Sequence, residues 1–264
     1  MEFIPYDKAS DASNEFSLTN LAHSVLMSIY LEKNPGAEEA DINKMRYEIE
    51  TLISEINQWF EKTMLPINAT IKLAEKQFIS LDYLDGKLIN EIMQADNIDS
   101  MMNENSEIRK YIDTAIDELK KKPLIKPYDA LYQQSITAYE NDLFDLAVLG
   151  FFAIIDGLLS DITMDRASVK IKQRTEKAVN SDSIHVSVDI VDINKAIQKA
   201  SLLRVSELLS ESKSFSGEEP ETLNRHWSMH GRTRTKKTKV DCEKLILFIY
   251  GLISIAGTTS GELT

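Results

Sequence analysis

Two of the four histidines in this 264-residue chain fall inside one nine-residue stretch, Leu223-Asn224-Arg225-His226-Trp227-Ser228-Met229-His230-Gly231. An imidazole with its ordinary pKa near 6.5 can take up or release a proton close to neutrality. A guanidinium stays charged and offers a planar fork of donors to anionic oxygens. Side by side, Arg225, His226 and His230 could move a proton and steady a developing negative charge. His226 and His230 are spaced i, i+4, like the two zinc ligands of H-E-x-x-H. Position 227 is Trp, however, so the general base of that motif is missing. No Glu stands three residues before any His, which removes the E-x-x-H di-iron pattern. The chain also lacks a Gly-rich phosphate loop, a C-x-x-C pair and a G-x-S-x-G elbow. Neither a metal site nor a cofactor is expected.

The surrounding charge is uneven. Between Arg225 and Lys239 lie Arg225, Arg232, Arg234, Lys236, Lys237 and Lys239, with no acidic side chain among them. Such a run is either a solvated basic loop or a local field that phosphate would feel. The whole chain carries a formal net charge of −12. Residues 1–118 hold 10 basic and 23 acidic side chains, whereas residues 119–264 hold 20 and 19. The break coincides with Lys120-Lys121-Lys122-Pro123, and the domain boundary is expected there: an acidic helical domain over 1–118, and a second domain over 119–264. A uniformly acidic protein would argue against nucleic acid; a divided one does not.

The elements that must position these residues read as helices. Nine Gly and six Pro are too few for the closely spaced turns of a β-sandwich or barrel. Ile42, Met45, Ile49, Leu52, Ile53, Ile56, Trp59 and Phe60 recur at three- and four-residue intervals, predicting one long amphipathic helix with Asp41 at its start and Pro66 beyond its end. Further helices are expected near residues 16–33, 67–80, 87–96, 105–121, 128–139 and 193–209. Leu143–Thr163 and Val240–Ala256 are apolar nearly all round and belong in the core of a bundle. Their uncharged stretches, Leu146–Ile155 and Leu245–Gly257, fall short of the roughly 18 residues that span a bilayer. Ser181–Ile190 alternates apolar and polar side chains, which is strand periodicity. A lone cysteine, Cys242, and an N-terminal MEFIPYDKAS without the pattern of a secretory leader fit a cytoplasmic protein with no membrane attachment. The fold class expected is all-α.

The stretch from Asn224 to Gly231, with a basic segment and an apolar helix after it, resembles the HEPN superfamily, whose helical bundles include many metal-independent ribonucleases. The family's signature is R-x4-6-H, often with Asn, Asp or His directly after the Arg. Arg225 and His230 match it with four intervening residues, and His226 fills the polar second position. Asn224 and Gly231 resemble a bacterial subset reading N-R-H-x-x-x-H-G. Asp156, in the apolar Leu143–Thr163 segment, is similar to an acidic residue of the family's central helix. The resemblance covers about residues 125–260 and implies an endoribonuclease in which the RNA's own 2′-hydroxyl attacks the adjacent phosphate. His230 would supply acid/base catalysis and Arg225 would clamp the phosphorane. His226 would share the proton transfer or orient the other two, with Asn224 and Asp156 in support. Arg232, Arg234, Lys236, Lys237 and Lys239 would hold RNA. By the same resemblance the protein would be a toxin-type effector of antiviral defence, abortive infection or a toxin–antitoxin system.

Five residues at about 100° each would set Arg225 and His230 about 140° apart on a straight helix. They face one substrate only if Arg225 sits in the turn that leads into the helix, or if the helix is distorted. Dimerisation, the family's usual arrangement, would bring two copies of the motif around one cleft. A homodimer is therefore expected, with the acidic N-terminal part available to a sensor or a cognate inhibitor. Two other classes compete: a non-catalytic helical interaction module, and a regulator that binds RNA without cutting it.

Overall fold

The computed structural model describes residues 18–59, 64–79, 86–165, 170–180, 190–210 and 218–257. The fold is all-α. Among the described residues the helices are α1 (Leu18–Lys33), α2 (Glu39–Trp59), α3 (Leu65–Glu75), α4 (Gly86–Gln94), α5 (Ile98–Glu104), α6 (Ser106–Leu119), α7 (Asp129–Glu140), α8 (Phe144–Thr163), α9 (Ile171–Asn180), α10 (Ile190–Ser210), α11 (Arg225–Met229) and α12 (Lys239–Gly257). A 3-10 segment, Pro123–Tyr128, leads into α7. The expected strand over Ser181–Ile190 lies outside the described residues, except that Ile190 opens α10.

The chain divides into two compact units at Leu65/Pro66, not at 118/119 as the charge break suggests. The first is the pair of packed helices α1 and α2. Its helices form where the sequence predicts them, and Asp41 lies in the first turn of α2 instead of capping it. There its carboxylate still meets the positive end of the helix dipole. Among the described residues of the α2 stripe only Ile49 and Ile53 are buried, while Leu52, Ile56 and Trp59 stand exposed.

The second unit is built around α8, which packs against α7, α9 and α12. Phe151, Ile154, Leu158, Leu247 and Phe248 are buried as the apolar runs predict, each withdrawn from water at roughly 1.5–3 kcal/mol. By length and composition α8 is apolar enough to cross a membrane. Here its Ala147, Val148, Phe151, Phe152, Ile154, Ile155, Leu158 and Leu159 are core side chains. Its first turns are different, with Leu143, Leu146 and Leu149 exposed. Gly157 lets α8 approach the 3-10 segment closely: a Cβ there would overlap the Tyr128 ring.

Helices α3–α6, assigned by charge to a separate acidic domain, belong to this unit. Arg109 of α6 donates to Glu243 of α12 at 2.6 Å, and the Tyr139 hydroxyl reaches the same oxygen at 2.7 Å. Asp99 pairs with Lys244 at 3.0 Å and Glu75 accepts from Arg204 at 2.9 Å. Tyr250 donates to Glu118 at 2.9 Å. Glu75, Asp99 and Glu118 thus serve as counterions or acceptors for the helices that follow, and Arg109 as the counterion of Glu243.

Candidate active site

The motif is a complete helix with both its caps. Helix α11 has five residues. Asn224 is its N-cap, in extended backbone, with its side-chain oxygen accepting from the Trp227 amide at 3.1 Å. His230 is the C-cap, and Gly231 follows with φ +63°. The Gly231 amide donates to Ser228 O at 3.1 Å and the Arg232 amide to Trp227 O at 2.9 Å. This pair of bonds is a Schellman termination, whose left-handed position favours glycine. The pattern N-R-H-x-x-x-H-G therefore reads, residue by residue, as cap, five helical positions, cap and stop.

Arg225 occupies the first helical position and leaves the helix sideways toward α8, where its Nε donates to Asp156 Oδ2 at 2.9 Å and its Nη2 donates to the same oxygen. His226 and His230, one turn apart, meet edge to face with ring centroids 4.6 Å apart. Trp227 and Ser228 point into the core, leaving His226 half-buried and His230 exposed. Burial, with the neighbouring charges of His230 and Arg225, lowers the pKa of His226 below the usual imidazole range. Its neutral, proton-accepting form is favoured at pH 7. Arg225 is thus brought to Asp156 and His226 to His230, while the Asn224 side chain is used as the cap of the same helix.

Two anchors of this place carry no signal in the local sequence. Gln77 follows α3 in left-handed backbone, φ 64°, and its side chain is buried. Its Nε2 donates to Leu223 O at 2.7 Å while its Oε1 accepts from the Leu223 amide at 2.9 Å. One side-chain amide thus satisfies both main-chain groups of the residue before Asn224. Arg174 of α9 is the other anchor. Its Nη2 donates to Asp156 Oδ1 at 2.6 Å, and its Nη1 to Asp156 O and Ser160 Oγ, each at 2.9 Å.

The basic stretch runs from Gly231 to α12. Arg232, Arg234 and Lys236 are exposed. Lys239 is turned toward Tyr139, its Nζ 5.9 Å from the ring centroid. Carboxylates hold the main chain of this loop. Glu219 accepts from the Thr233 hydroxyl and from the amides of Arg234 at 2.9 Å and Thr235 at 3.3 Å; Asp145 accepts from the Lys237 amide at 3.1 Å. Burial opposes the charge on Glu219, but these bonds and nearby Lys237 outweigh it and hold its carboxyl below the usual range. Thr238 and Asp241 form a capping box that starts α12, with Thr238 N–Asp241 Oδ2 at 2.8 Å. The acids thus engage the amides and the hydroxyl of this loop, while the side chains of Arg234 and Lys236 are exposed.

Among the described residues, no three His, Cys, Asp or Glu side chains cluster in a way that could hold a metal ion. Compared with protein-family models, curated proteins and solved structures, the chain gives no match.

Proposed function

We propose that the protein is a HEPN-type endoribonuclease that works without a metal, as a homodimer, and serves as a toxin-type effector in antiviral defence or a toxin–antitoxin system. The observation that carries the reading is the pairing of two imidazoles, His226 and His230, at the head of an exposed basic loop and beside an Arg225 fixed by Asp156. In this reading the 2′-oxygen attacks the adjacent phosphorus, an imidazole accepts the hydroxyl proton, and the P–O5′ bond breaks as an imidazolium protonates the leaving oxygen. The products are a 2′,3′-cyclic phosphate and a free 5′-hydroxyl. His226, held neutral, is suited to accept the proton. His230 is the acid/base partner, from the same chain or the second copy. Arg225 stabilises the phosphorane, and Arg232, Arg234, Lys236 and Lys237 attract the RNA backbone.

The test is cleavage of RNA in EDTA, with end-group analysis. His230→Ala and Arg225→Ala should each slow it by ~10²–10⁴, and a 2′-deoxy nucleotide at the cut site should block it. A requirement for Mg²⁺, or 5′-phosphate ends, would overturn these roles. A second reading, a docking module for a sensor or inhibitor, is favoured for α1 and α2 by exposed Leu52, Ile56 and Trp59.

A further inference from the structure

Asp156 lies between two guanidiniums and gives one carboxylate oxygen to each: Oδ1 to Arg174 and Oδ2 to Arg225. Arg174 is itself buried, 4% exposed, and among the described residues its Nε meets no acceptor. A buried guanidinium is costly unless its charge is matched. One carboxylate cannot match two cations, so the three side chains together keep one positive charge.

An isolated Asp156–Arg225 pair would be neutral overall and would attract a phosphodiester weakly. With Arg174 behind it, Asp156 can grip Arg225 without cancelling it. The grip is also rigid, because Arg174 holds both the side chain and the carbonyl of Asp156, and Ser160 one turn further along α8. Resting on the ribonuclease reading above, we infer that Arg174 is a positioning residue. It orients Asp156 and leaves the Arg225 end of the site cationic for the scissile phosphate.

The experiment uses the full chain with three variants, Arg174→Gln, Arg174→Lys and Asp156→Asn, and two readouts. The first is the midpoint of the His226 imidazole titration followed by NMR, which senses charge next to Arg225 whether or not the protein cleaves anything. The second is kcat and KM on RNA in EDTA. Arg174→Gln removes a positive charge and should raise the His226 midpoint by about 0.5 pH unit. Asp156→Asn removes a negative charge and should lower it by about as much. Arg174→Lys should bring the midpoint back toward wild type. Arg174→Gln and Asp156→Asn should each cut kcat by roughly 10–100-fold, with KM changed less than about threefold. Combining them should cost little more than either alone, since Arg174 acts through Asp156. Midpoints unmoved in folded Arg174→Gln and Asp156→Asn proteins, or moved in the same direction by both, would overturn the inference. A fully additive double variant would overturn it too. Absence of cleavage by the wild type would overturn the ribonuclease reading instead, leaving the His226 midpoints to decide whether Arg174 and Asp156 set the charge beside Arg225.

Discussion

Replacing Gln77 tests how the motif is held. Gln77→Ala strips the partners from both main-chain groups of Leu223, a residue only 3% exposed, next to a side chain 1% exposed. Each buried group left unsatisfied costs about 1–3 kcal/mol. Water entering the vacated space recovers part of this, so about 2–4 kcal/mol of stability should be lost. Gln77→Gly loses the same bonds but relaxes the left-handed backbone at φ 64°, worth about 1 kcal/mol. Glycine should therefore be the less damaging replacement, the reverse of its usual rank against alanine. Gln77→Glu keeps an acceptor for the Leu223 amide and sets a carboxylate against the Leu223 carbonyl. That carboxyl should titrate above its unfolded value, so the variant should regain stability as the pH falls from 7 toward 5. Urea unfolding followed by tryptophan fluorescence is well matched to the question: Trp227 is buried two helical positions from Arg225, while Trp59 is exposed. A Gln77→Ala protein within about 0.5 kcal/mol of wild type, or more stable than Gln77→Gly, would refute the reasoning.

Other outcomes follow from the same geometry. Asn224→Ala should cost about 1–2 kcal/mol as a lost N-cap and Gly231→Ala about 1 kcal/mol as left-handed strain, both read from urea midpoints. Gly157→Ala should cost roughly 1–3 kcal/mol by overlap with Tyr128, and Tyr128→Ala in the same chain should absorb much of that loss. The lowered pKa of His226 means that, from about pH 6.5 downward, the unfolded chain takes up its proton before the folded one. Stability should therefore fall over that window, until the folded group is protonated as well, and His226→Gln should remove this part of the slope. For Glu219 the depressed carboxyl gives stability that is present above the ordinary Glu value, about pH 4.3, and lost as pH falls through the lower folded one; Glu219→Gln should abolish that loss. Lys236→Ala and Lys237→Ala should each flatten the salt dependence of RNA affinity by about one phosphate contact, measured by filter binding with a 2′-deoxy substrate analogue.

What the sequence made legible was whatever repeats locally. The apolar runs of α8 and α12 predicted core helices, and most of their apolar side chains are buried. The α2 stripe specified a helix but not a partner for its outer side chains, since periodicity counts apolar residues without saying what covers them. Helix α9 was missed because its sequence, IKQRTEKAVN, is polar while it buries Arg174 and Thr175. The division at Leu65/Pro66 does not coincide with the charge break, since charges far apart in the chain, such as Glu75 and Arg204 or Arg109 and Glu243, are paired only once the chain is folded. Arg225, His226 and His230 stand out in the sequence because they are near neighbours of chemically useful type, and the structure places them on or beside one short helix. Gln77, which reaches Leu223 across 146 positions, leaves no mark on the residues around it.

A helix as short as α11 has no interior. Isolated helices below about 12–15 residues are marginal in water, so this one owes its existence to the groups that close its ends. Its amides and the placement of its side chains consequently share a fate: there is no fraying end that can be lost while the middle survives. If the Asn224 cap or the Gly231 stop opens, the two imidazoles separate, Arg225 loses its angle toward α8, and the start of the basic loop comes free. The site is thus a single cooperative hinge-pin, either assembled or absent, and slow hydrogen exchange at the Trp227 and Arg232 amides would keep time with it.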